Sequence, residues 1–373
     1  MVFNSVKGAI ETSVQSEEPS EAIRWPLKST VGLPCPMSNA LRQARQEVVF
    51  VFPRARELRK VRLQRSELAV PASSEKFFEK AAKGPADGIF LDLEDAVVPE
   101  LKEKARELAV AALNEIDWGD KIMAVRINSL DTKWAYRDII AVAERCPRLD
   151  LILLPKTNMA ADVYVVEQLL DGIESTIGRK KPIGIEVLIE TAAGLANVEE
   201  IAQASDRLEA MIFGVGDFTI SMRARDPFTG ESNPRYRMYG RNEKGERELH
   251  WNDPWHFALA RIATACRAFG LRPLDGPYAD FKNPEGFRSS AERASALGFE
   301  GKWAIHPSQV EIANEVFAPD PKELVWAKII KEAMTASGGN GAIQLDGKLV
   351  DLAHIKLADA LLERQALVDA RKR

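Results

Sequence analysis

Eight apolar runs recur along the middle of the chain, and a helix-like stretch follows each of them. Runs rich in Val, Ile and Leu that end at turn residues are typical of strands, and buried parallel strands carry nearly continuous apolar sequence. Eight strand–helix units in series predict an α/β protein and favour a closed TIM (β/α)8 barrel over a doubly wound sheet. The predicted strands are Ser66–Val70, Gly88–Leu93, Ile122–Ile127, Leu149–Pro155, Ile183–Ile189, Ala210–Val215, Leu271–Asp275 and Lys302–Ile305.

The stretches between these runs carry helix signals. Pro99, Pro254 and Pro307 stand where a proline of the first helical turn belongs. After Asp217 a long segment runs to Trp251 before the next helix, and a loop of that length is usually functional. The predicted helices are Ser74–Lys83, Pro99–Asn114, Lys133–Arg145, Ala160–Ile177, Gly194–Ala204, Asp253–Phe269, Asn283–Leu297 and Ser308–Val316.

Two segments flank the predicted barrel, which we place at residues 61–317. Residues 1–60 lack sustained periodicity and are expected to form a flexible extension. The bases from Arg54 to Arg65 are interpreted as a solvated entry segment, with contact to a polyphosphate as the alternative. Residues 318–373 are expected to form a small mobile lid. Its predicted parts are a hinge at Gly338–Gly341, a hairpin turn at Asp346-Gly347 and a last helix over Asp351–Asp369.

The composition of the 373 residues narrows the class of protein. A net charge of −4 gives no electrostatic footprint for nucleic acid, and no apolar run reaches transmembrane length. The N-terminus lacks the features of a secretory signal or a transit peptide. Cys35, Cys146 and Cys266 fit no zinc or redox spacing, which suits a reducing compartment. We therefore expect a cytoplasmic protein without nucleic-acid or membrane partners.

Polar residues end several of the predicted strands. In a barrel of this kind the active site lies at the carboxyl ends of the strands. Glu190 and Asp217 end neighbouring apolar strands, and two carboxylates at one rim offer the oxygen ligands that Mg²⁺ prefers. We interpret them as a metal pair, with two solvated carboxylates as the alternative. The whole rim set is Asp92, Glu94, Asp95, Arg126, Lys156, Glu190, Asp217, Asp275 and His306.

Other members of this set allow more specific interpretations. Arg126 lies inside an apolar strand, and a buried guanidinium is costly unless it meets anions, so a substrate-facing role is favoured over packing. Lys156 either faces substrate or pairs with a rim acid. Of the three acids in Leu91–Asp95, one can support a neighbour and another can cap a helix. His306 is expected to orient the last βα loop, with a catalytic role as the alternative.

The run Gly214-Val215-Gly216-Asp217 differs from a dinucleotide-binding fingerprint. It lacks the third glycine, and no helix is expected to open there. Glycines at this position let the backbone approach a metal and its ligand closely. Gly216 is therefore predicted to lie at the substrate site together with Asp217.

Together these motifs resemble the citrate lyase β-subunit-like (HpcH/HpaI aldolase) family over residues 62–368. Asp275–Phe281 and Gly347–Asp351 look like the malyl-CoA/β-methylmalyl-CoA lyase branch of that family. Each motif alone is weak, whereas the set is specific. The remaining matching motifs are Leu91–Val97, Val125–Asn128, Leu154–Lys156, Ile189–Gly194, Gly214–Asp217 and Trp303–Gln309.

The resemblance implies a Mg²⁺-dependent, reversible Claisen-type carbon–carbon lyase, with Mn²⁺ as an alternative metal. L-malyl-CoA would give acetyl-CoA and glyoxylate, and β-methylmalyl-CoA would give propionyl-CoA and glyoxylate. Carried over by motif, Glu190 and Asp217 hold the metal. Arg126 stabilises the enolate oxygen, and Asp351 is the general base.

The resemblance also implies partners. The phosphates of a CoA thioester need cations, and Arg65 and Lys80 match positions near the CoA, with Arg62 and Lys76 as further candidates. The family implies a trimer-based homo-oligomer, with a hexamer expected, in which the tail bearing Asp351 closes over a neighbouring subunit's site. From the sequence alone, Asp351 is an N-cap of the last helix.

Two alternatives remain open. A malate synthase-like or citryl/citramalyl-CoA lyase-like enzyme would use the same scaffold, and the former would add thioester hydrolysis. A non-catalytic CoA-binding subunit belongs to a different class. The joint presence of Glu190, Asp217, Arg126 and Asp351 argues against that class.

Overall fold

The computed structural model describes residues 61–226, 228–336, 342–345 and 347–371. Their strands are β1 Ser66–Pro71, β2 Gly88–Asp92, β3 Ile122–Arg126, β4 Leu151–Leu154, β5 Gly184–Ile189, β6 Leu208–Phe213, β7 Arg237–Arg241, β8 Arg247–Trp251, β9 Arg272–Asp275, β10 Gly301–Ala304, β11 Ala342–Leu345 and β12 Lys348–Asp351. β1–β6, β9 and β10 pair in parallel, each with the next, and β10 pairs with β1. This closed ring confirms the predicted TIM barrel.

Helices surround the ring and connect its strands. They are α1 Phe78–Lys83, α2 Lys102–Glu115, α3 Ala135–Arg145, α4 Ala160–Ile177, α5 Ala192–Ala196, α6 Val198–Gln203, α7 Val215–Ser221, α8 His256–Phe269, α9 Pro284–Ala296, α10 Val310–Val316, α11 Pro321–Ala336 and α12 Leu352–Arg371. Three 3-10 turns, Glu75–Phe77, Pro99–Leu101 and Pro307–Gln309, precede α1, α2 and α10. None of the helices in the described ranges is both long and apolar enough to cross a bilayer.

The core has two layers because successive strand residues point to opposite faces of the sheet. Inside the barrel, Phe90, Leu188, Ile212 and Trp303 belong to one buried cluster. Residues between them in sequence, such as Val187, belong to a larger cluster that includes side chains of the surrounding helices. Every residue of β2 to β6 is therefore buried, which explains their nearly continuous apolar sequence.

The segment after β6 is more regular than the sequence predicts. Helix α7 begins directly after Gly214, so the expectation that no helix opens at this glycine motif is wrong. The long segment that follows contains an antiparallel hairpin made of β7 and β8. The predicted helix Gly194–Ala204 is divided at Asn197, whose side-chain amide donates to the carbonyl oxygen of Asn158 at 2.8 Å.

The C-terminal segment contains α11, the β11–β12 hairpin and α12, which share a small apolar core that includes Ala327, Val350 and Ala358. Arg364 donates to the carbonyl oxygen of Phe317 at 3.0 Å, and Arg371 donates to that of Asp87 at 2.9 Å. Asp87 precedes β2, so α12 ends at the amino end of the barrel. The predicted extension at 1–60, the glycine hinge and Asp346 lie outside the described residues.

Candidate active site

A cavity of about 320 Å³ opens at the carboxyl ends of the barrel strands. Its floor is aromatic, since the rings of Phe90 and Trp303, from the two strands that flank β1, have centroids 4.4 Å apart. Its upper wall is charged. The lining residues are Ala69, Pro71, Phe90, Asp92, Asp95, Ala96, Arg126, Leu188, Glu190, Gly214, Gly216, Asp217, Pro277, Trp303 and Ile305.

Arg126 ends β3 and lies over this aromatic floor, with its guanidinium carbon 5.4 Å from the ring centroid of Trp303. Its Nε and Nη2 donate to the two oxygens of Asp92 at 2.8 and 2.6 Å. Its Nη1 lies 3.2 Å from Glu94 Oε2. Burial lowers the pKa of Arg126, but the charges of Asp92 and Glu94 more than reverse that effect. The guanidinium is thus held in one orientation by two acids.

Lys156 lies among the rim acids. Its ammonium donates to Glu94 and lies 3.3 Å from Asp95 Oδ1 and 3.8 Å from Asp217 Oδ2. Burial lowers the pKa of Lys156, while Glu94 and the other acids raise it above its usual range. Of the two roles the sequence left open, the structure therefore shows pairing with rim acids.

Glu190 follows β5 and is buried. The backbone N–H of Lys156 donates to its Oε1 at 2.7 Å. Gly214 makes room for it, since a Cβ at that position would lie 2.5 Å from Glu190 Oε2. Gly216 lines the same cavity, and a Cβ there would be in ordinary contact with Thr229. Burial, followed by the charge of Glu94, raises the pKa of Glu190 to about 8.

Asp217 lies in α7 and lines the cavity together with Glu190. The pair offers only oxygen donors, and Asp217 contributes to the negative potential that raises the pKa of Glu190. In the described ranges no group of three or more His, Cys, Asp and Glu side chains is arranged to hold a metal ion. A cation on this pair would leave most coordination positions to substrate and water, as Mg²⁺ commonly does. The residues present therefore fit a hard divalent cation.

A second cavity of about 550 Å³ adjoins the first and shares Ala69, Pro71 and Ile305 with it. Its lining is mainly apolar, and Lys80, His306 and Glu311 contribute polar groups. His306 Nδ1 accepts from the backbone N–H of Ser308 at 3.2 Å, as expected for a residue that orients the last βα loop. The second cavity is also lined by Lys80 and Ala81 of α1, so the two cavities lie side by side between the barrel mouth and this helix.

The structure places Arg65 away from both cavities. Arg65 precedes β1, so it lies at the amino end of the barrel, and its Nε and Nη2 donate to the oxygens of Asp87 at 2.8 and 2.9 Å. Arg62 lies at the same end and donates to Glu209 at 2.6 Å. The prediction that Arg65 contacts CoA is not supported by this position, because its guanidinium is held by a buried acid. Lys80 is the predicted CoA contact that lines the cavity adjoining the rim.

Asp275 is a member of the predicted rim set that lies outside the cavity. As the last residue of β9 it points outward, where the buried ammonium of Lys302 donates to it and to the carbonyl oxygen of Gly276 at 2.8 Å. Asp275 therefore ends its strand as predicted but does not line the cavity, because one residue along a strand changes the face. The pair instead fixes the start of the loop that carries Pro277 to the cavity wall.

Asp351 is not among the residues that line the cavity of its own chain. Its Oδ1 accepts from the backbone N–H of Ala353 at 3.0 Å and lies 2.8 Å from His354 Nδ1, which is the arrangement of a helix cap. The hydrogen bond with His354 lowers the pKa of Asp351. The carboxylate is exposed at the start of α12, a helix of 20 residues that spans about 30 Å.

Sequence reasoning missed the residues that support the charged rim. Trp303 lies under Arg126 and donates from Nε1 to Glu67 Oε2 at 2.8 Å deep in the barrel. Alternation along β10 could have identified Trp303 as an inward residue. Glu67 gave no signal, because an acid inside an apolar strand is indistinguishable from one at a solvated edge until the sheet is closed.

The fold and this cavity define an α/β-barrel protein with an acid- and arginine-lined site at the carboxyl rim. The sequence profile of the HpcH/HpaI aldolase/citrate lyase family matches residues 65–307. The chain belongs to this family, which confirms the resemblance.

Relatives cover most of the chain. It is 46% identical over 312 residues to the L-malyl-CoA/β-methylmalyl-CoA lyase of Cereibacter sphaeroides (strain ATCC 17025 / ATH 2.4.3), which covers 83% of this chain and 96% of that protein. It is 35% identical over 308 residues to the (3S)-malyl-CoA thioesterase of Cereibacter sphaeroides (strain ATCC 17029 / ATH 2.4.9), covering 82% and 96%. The crystal structure of CitE from Mycobacterium tuberculosis with magnesium, acetoacetate and coenzyme A aligns with a TM-score of 0.62 and 28% identity, covering 82% of this chain and 99% of that one.

Proposed function

We propose that this protein is a Mg²⁺-dependent lyase that cleaves L-malyl-CoA to acetyl-CoA and glyoxylate, and β-methylmalyl-CoA to propionyl-CoA and glyoxylate, reversibly. The observation that carries the proposal is the cavity that Arg126, Glu190 and Asp217 line together. The 46% identity to a lyase of this name supports the choice of substrates. Cys146 and Cys266 are buried free thiols, which fits a reducing cytoplasm.

Glu190 and Asp217 are the residues that would hold the metal. When bound, Mg²⁺ supplies a Lewis acid and a template for a carboxylate and carbonyl, as in glyoxylate; Mn²⁺ takes similar oxygen ligands. Glu190 is oriented by the N–H of Lys156 and by the close approach of Gly214. Its raised pKa means that cation binding competes with a proton on this carboxyl.

Arg126 would stabilise the negative charge that develops on the thioester oxygen. An arginine has five N–H donors. The N–H groups directed at Asp92 and Glu94 leave two donors for the cavity. Because the acids fix the guanidinium beforehand, little reorganisation is needed as the charge forms. The aromatic floor below it excludes water from that side.

The adjoining groove would hold the CoA arm. Its apolar lining suits a pantetheine chain, and Lys80 is a cation for a phosphate. Ala69, Pro71 and Ile305 line both cavities, so a thioester in the first would continue into the second.

Asp351 would act as the general base on the acyl α-carbon from a neighbouring subunit. Its exposed position away from its own cavity is compatible with this, and Leu349, Leu352 and Leu357 nearby are exposed apolar side chains available for a subunit contact. A trimer-based oligomer, with a hexamer expected, would bring the tail of one chain to the rim of another.

Glyoxylate release tests the reaction. L-malyl-CoA and β-methylmalyl-CoA are assayed for glyoxylate, and citramalyl-CoA for pyruvate, each with and without EDTA. We expect glyoxylate from the first two, lost with EDTA and restored by Mg²⁺, with Asp217→Asn as the inactive control. Absence of glyoxylate from both substrates in the presence of Mg²⁺ would contradict the proposal.

The 35% identity to a thioesterase favours one second candidate, in which hydrolysis follows condensation. Free CoA measured during incubation of acetyl-CoA with glyoxylate separates the two. A lyase stops at malyl-CoA, whereas the second activity releases one CoA thiol for each malate formed.

Mixed oligomers test the shared site. Asp351→Asn and Glu190→Gln proteins, each inactive, are dissociated, mixed and reassembled. Activity should return, because some sites then combine an intact metal pair with an intact Asp351. If subunit exchange is verified by mass and activity stays absent, Asp351 acts within its own subunit.

A further inference from the structure

Lys156 has a backbone conformation that a lysine rarely adopts. Its φ is 49°, and among the described residues only Arg223, with φ 52°, is another non-glycine residue of positive φ. A strained backbone of this kind persists where surrounding contacts enforce it, often at functional sites. Asn158 provides such a contact, since its Nδ2 donates to the carbonyl oxygen of Lys156 at 2.9 Å and its Oδ1 accepts from Thr191 Oγ1 at 2.5 Å.

The left-handed backbone of Lys156 contacts Glu190, one of the two carboxylates assigned to the metal. It directs the backbone N–H of Lys156 at Glu190 Oε1, at 2.7 Å. Thr191, which holds Asn158, directly follows Glu190 in the chain. Two hydrogen bonds therefore link the turn after β4 to the segment after β5: one from Lys156 to Glu190 and one from Thr191 to Asn158.

The side chain of Lys156 contacts Glu94, the acid that also pairs with Arg126. The ammonium donates to Glu94, and Glu94 in turn lies 3.2 Å from Nη1 of Arg126. The same ammonium lies 3.8 Å from Asp217. A glycine would adopt this turn without strain but would leave Glu94 with one cationic partner fewer.

From this geometry we infer that Lys156 is a positioning residue: its left-handed backbone orients Glu190, and its ammonium, through Glu94, orients Arg126. The inference rests on the proposed function, because it assigns Glu190 to the metal and Arg126 to the substrate. It explains why a lysine occupies a position that glycine would fill at lower cost. Backbone and side chain are both required, each for a different partner.

Two substitutions separate the role of the Lys156 backbone from that of its ammonium. Lys156→Gly keeps the turn and removes the ammonium. Lys156→Val also removes the ammonium, but a β-branched residue is disfavoured at positive φ and displaces the N–H from Glu190. Calorimetric Mg²⁺ titration, kcat with L-malyl-CoA and the Tm of the metal-free protein are measured for each. Lys156→Ala carries a smaller backbone penalty and replaces the Val variant if that one does not fold.

For Lys156→Gly we expect Mg²⁺ affinity equal to or tighter than wild type, since a cation has left the carboxylates, with kcat lower by about 10²-fold as Arg126 loses its orientation. For Lys156→Val we expect the same loss of kcat and, in addition, Mg²⁺ binding at least about tenfold weaker than in the Gly variant. A purely structural lysine would instead weaken both properties together in every variant. Arg223→Gly is the matched control, which should raise Tm by relieving strain outside the cavity and leave Mg²⁺ affinity unchanged.

Wild-type kcat in Lys156→Gly would overturn the role of the ammonium. Equal Mg²⁺ affinity in the Gly variant and in the Val or Ala variant would overturn the role of the backbone. These outcomes differ from failure of the proposed function, which would appear in the wild-type protein as absent Mg²⁺ binding or absent glyoxylate release, and which would overturn the inference with it.

Discussion

The two ends of the barrel both contain buried charges but arrange them differently. At the amino end, Arg272 lies 3.3 Å from Glu186 and 3.5 Å from Glu209, and both its side chain and that of Glu186 are inaccessible. At the carboxyl end, Arg126 and Lys156 face several carboxylates beside an open cavity.

The difference separates stability from chemistry. Charges sealed at the amino end can only hold strands together, and they have no access to a ligand. At the rim, acids outnumber bases beside the cavity, so a bound cation would balance part of the negative charge. Charges at the amino end therefore hold the strands together, and charges at the carboxyl end are accessible to ligands.

The largest expected effect comes from the metal pair. Asp217→Asn or Glu190→Gln should abolish Mg²⁺-dependent turnover, because one neutral amide cannot replace a carboxylate ligand. Thermal stability of the metal-free protein should be unchanged or higher, since the substitution relieves repulsion among rim acids. Turnover and Tm measured on the same preparations check this. An Asp217→Asn protein with normal activity and unchanged Mg²⁺ dependence would contradict the assignment of Asp217 as a metal ligand.

The amino end should respond in the opposite way. Arg272→Met should lower the free energy of unfolding by about 3–5 kcal/mol, because it removes the cation that lies 3.3 Å from buried Glu186. The kcat of the protein that remains folded should be near wild type, since Arg272 lies below the aromatic floor. Urea unfolding and kcat normalised to folded protein test the comparison. A loss of kcat larger than the loss of stability would show that the two ends are not separable.

Arg126→Lys should raise the activation barrier by about 2.7–4 kcal/mol, close to the effect of deleting an oxyanion donor. An ammonium cannot remain bidentate to Asp92 while also donating into the cavity. Kinetics of the Lys and Ala variants should therefore be similar. Near-normal turnover of the Lys variant would show that charge alone is sufficient at this position.

The sequence predicted the barrel and the rim pair because both depend on local pattern. Apolar runs locate the strands, and a polar residue at the end of a strand locates the rim. What it could not predict depends on side-chain direction or on long-range contacts. Asp275 stands one residue from an inward position and therefore faces Lys302 outside the barrel. Arg65 lies next to β1 in the chain but at the wrong end of it, with Asp87.

A smaller effect is expected from pH. Burial raises the pKa of Glu190 from 4.5 to about 8 in the folded protein. Between these two pH values the folded protein keeps a proton on Glu190, whereas the unfolded chain has released it. Its contribution to metal-free stability is therefore full below pH 4.5 and is lost as pH rises towards 8. Unfolding of wild type minus Glu190→Gln across pH 5–9 isolates this group from Glu67, Glu94 and Glu186, whose pKa values are also raised by burial. Added Mg²⁺ should reduce the loss of stability with rising pH. A difference in unfolding free energy between wild type and Glu190→Gln that does not change with pH would contradict this prediction.

The smallest effect should come from Trp303, which connects the two ends. Its Nε1 donates to Glu67 on the amino side, and its ring lies under Arg126 on the rim side. Trp303→Phe keeps an aromatic surface and removes the donor, so a buried acceptor loses its partner at a cost of about 1–3 kcal/mol in unfolding free energy. Turnover should fall less than tenfold, because Asp92 and Glu94 still hold the guanidinium. Glu67→Gln is the matched control, since it keeps an acceptor for the indole and removes the carboxylate. If Trp303→Phe lowered kcat as much as Arg126→Lys, the hydrogen bond from Trp303 to Glu67 would be part of the catalytic arrangement, and the division between a structural and a chemical end would fail at this residue.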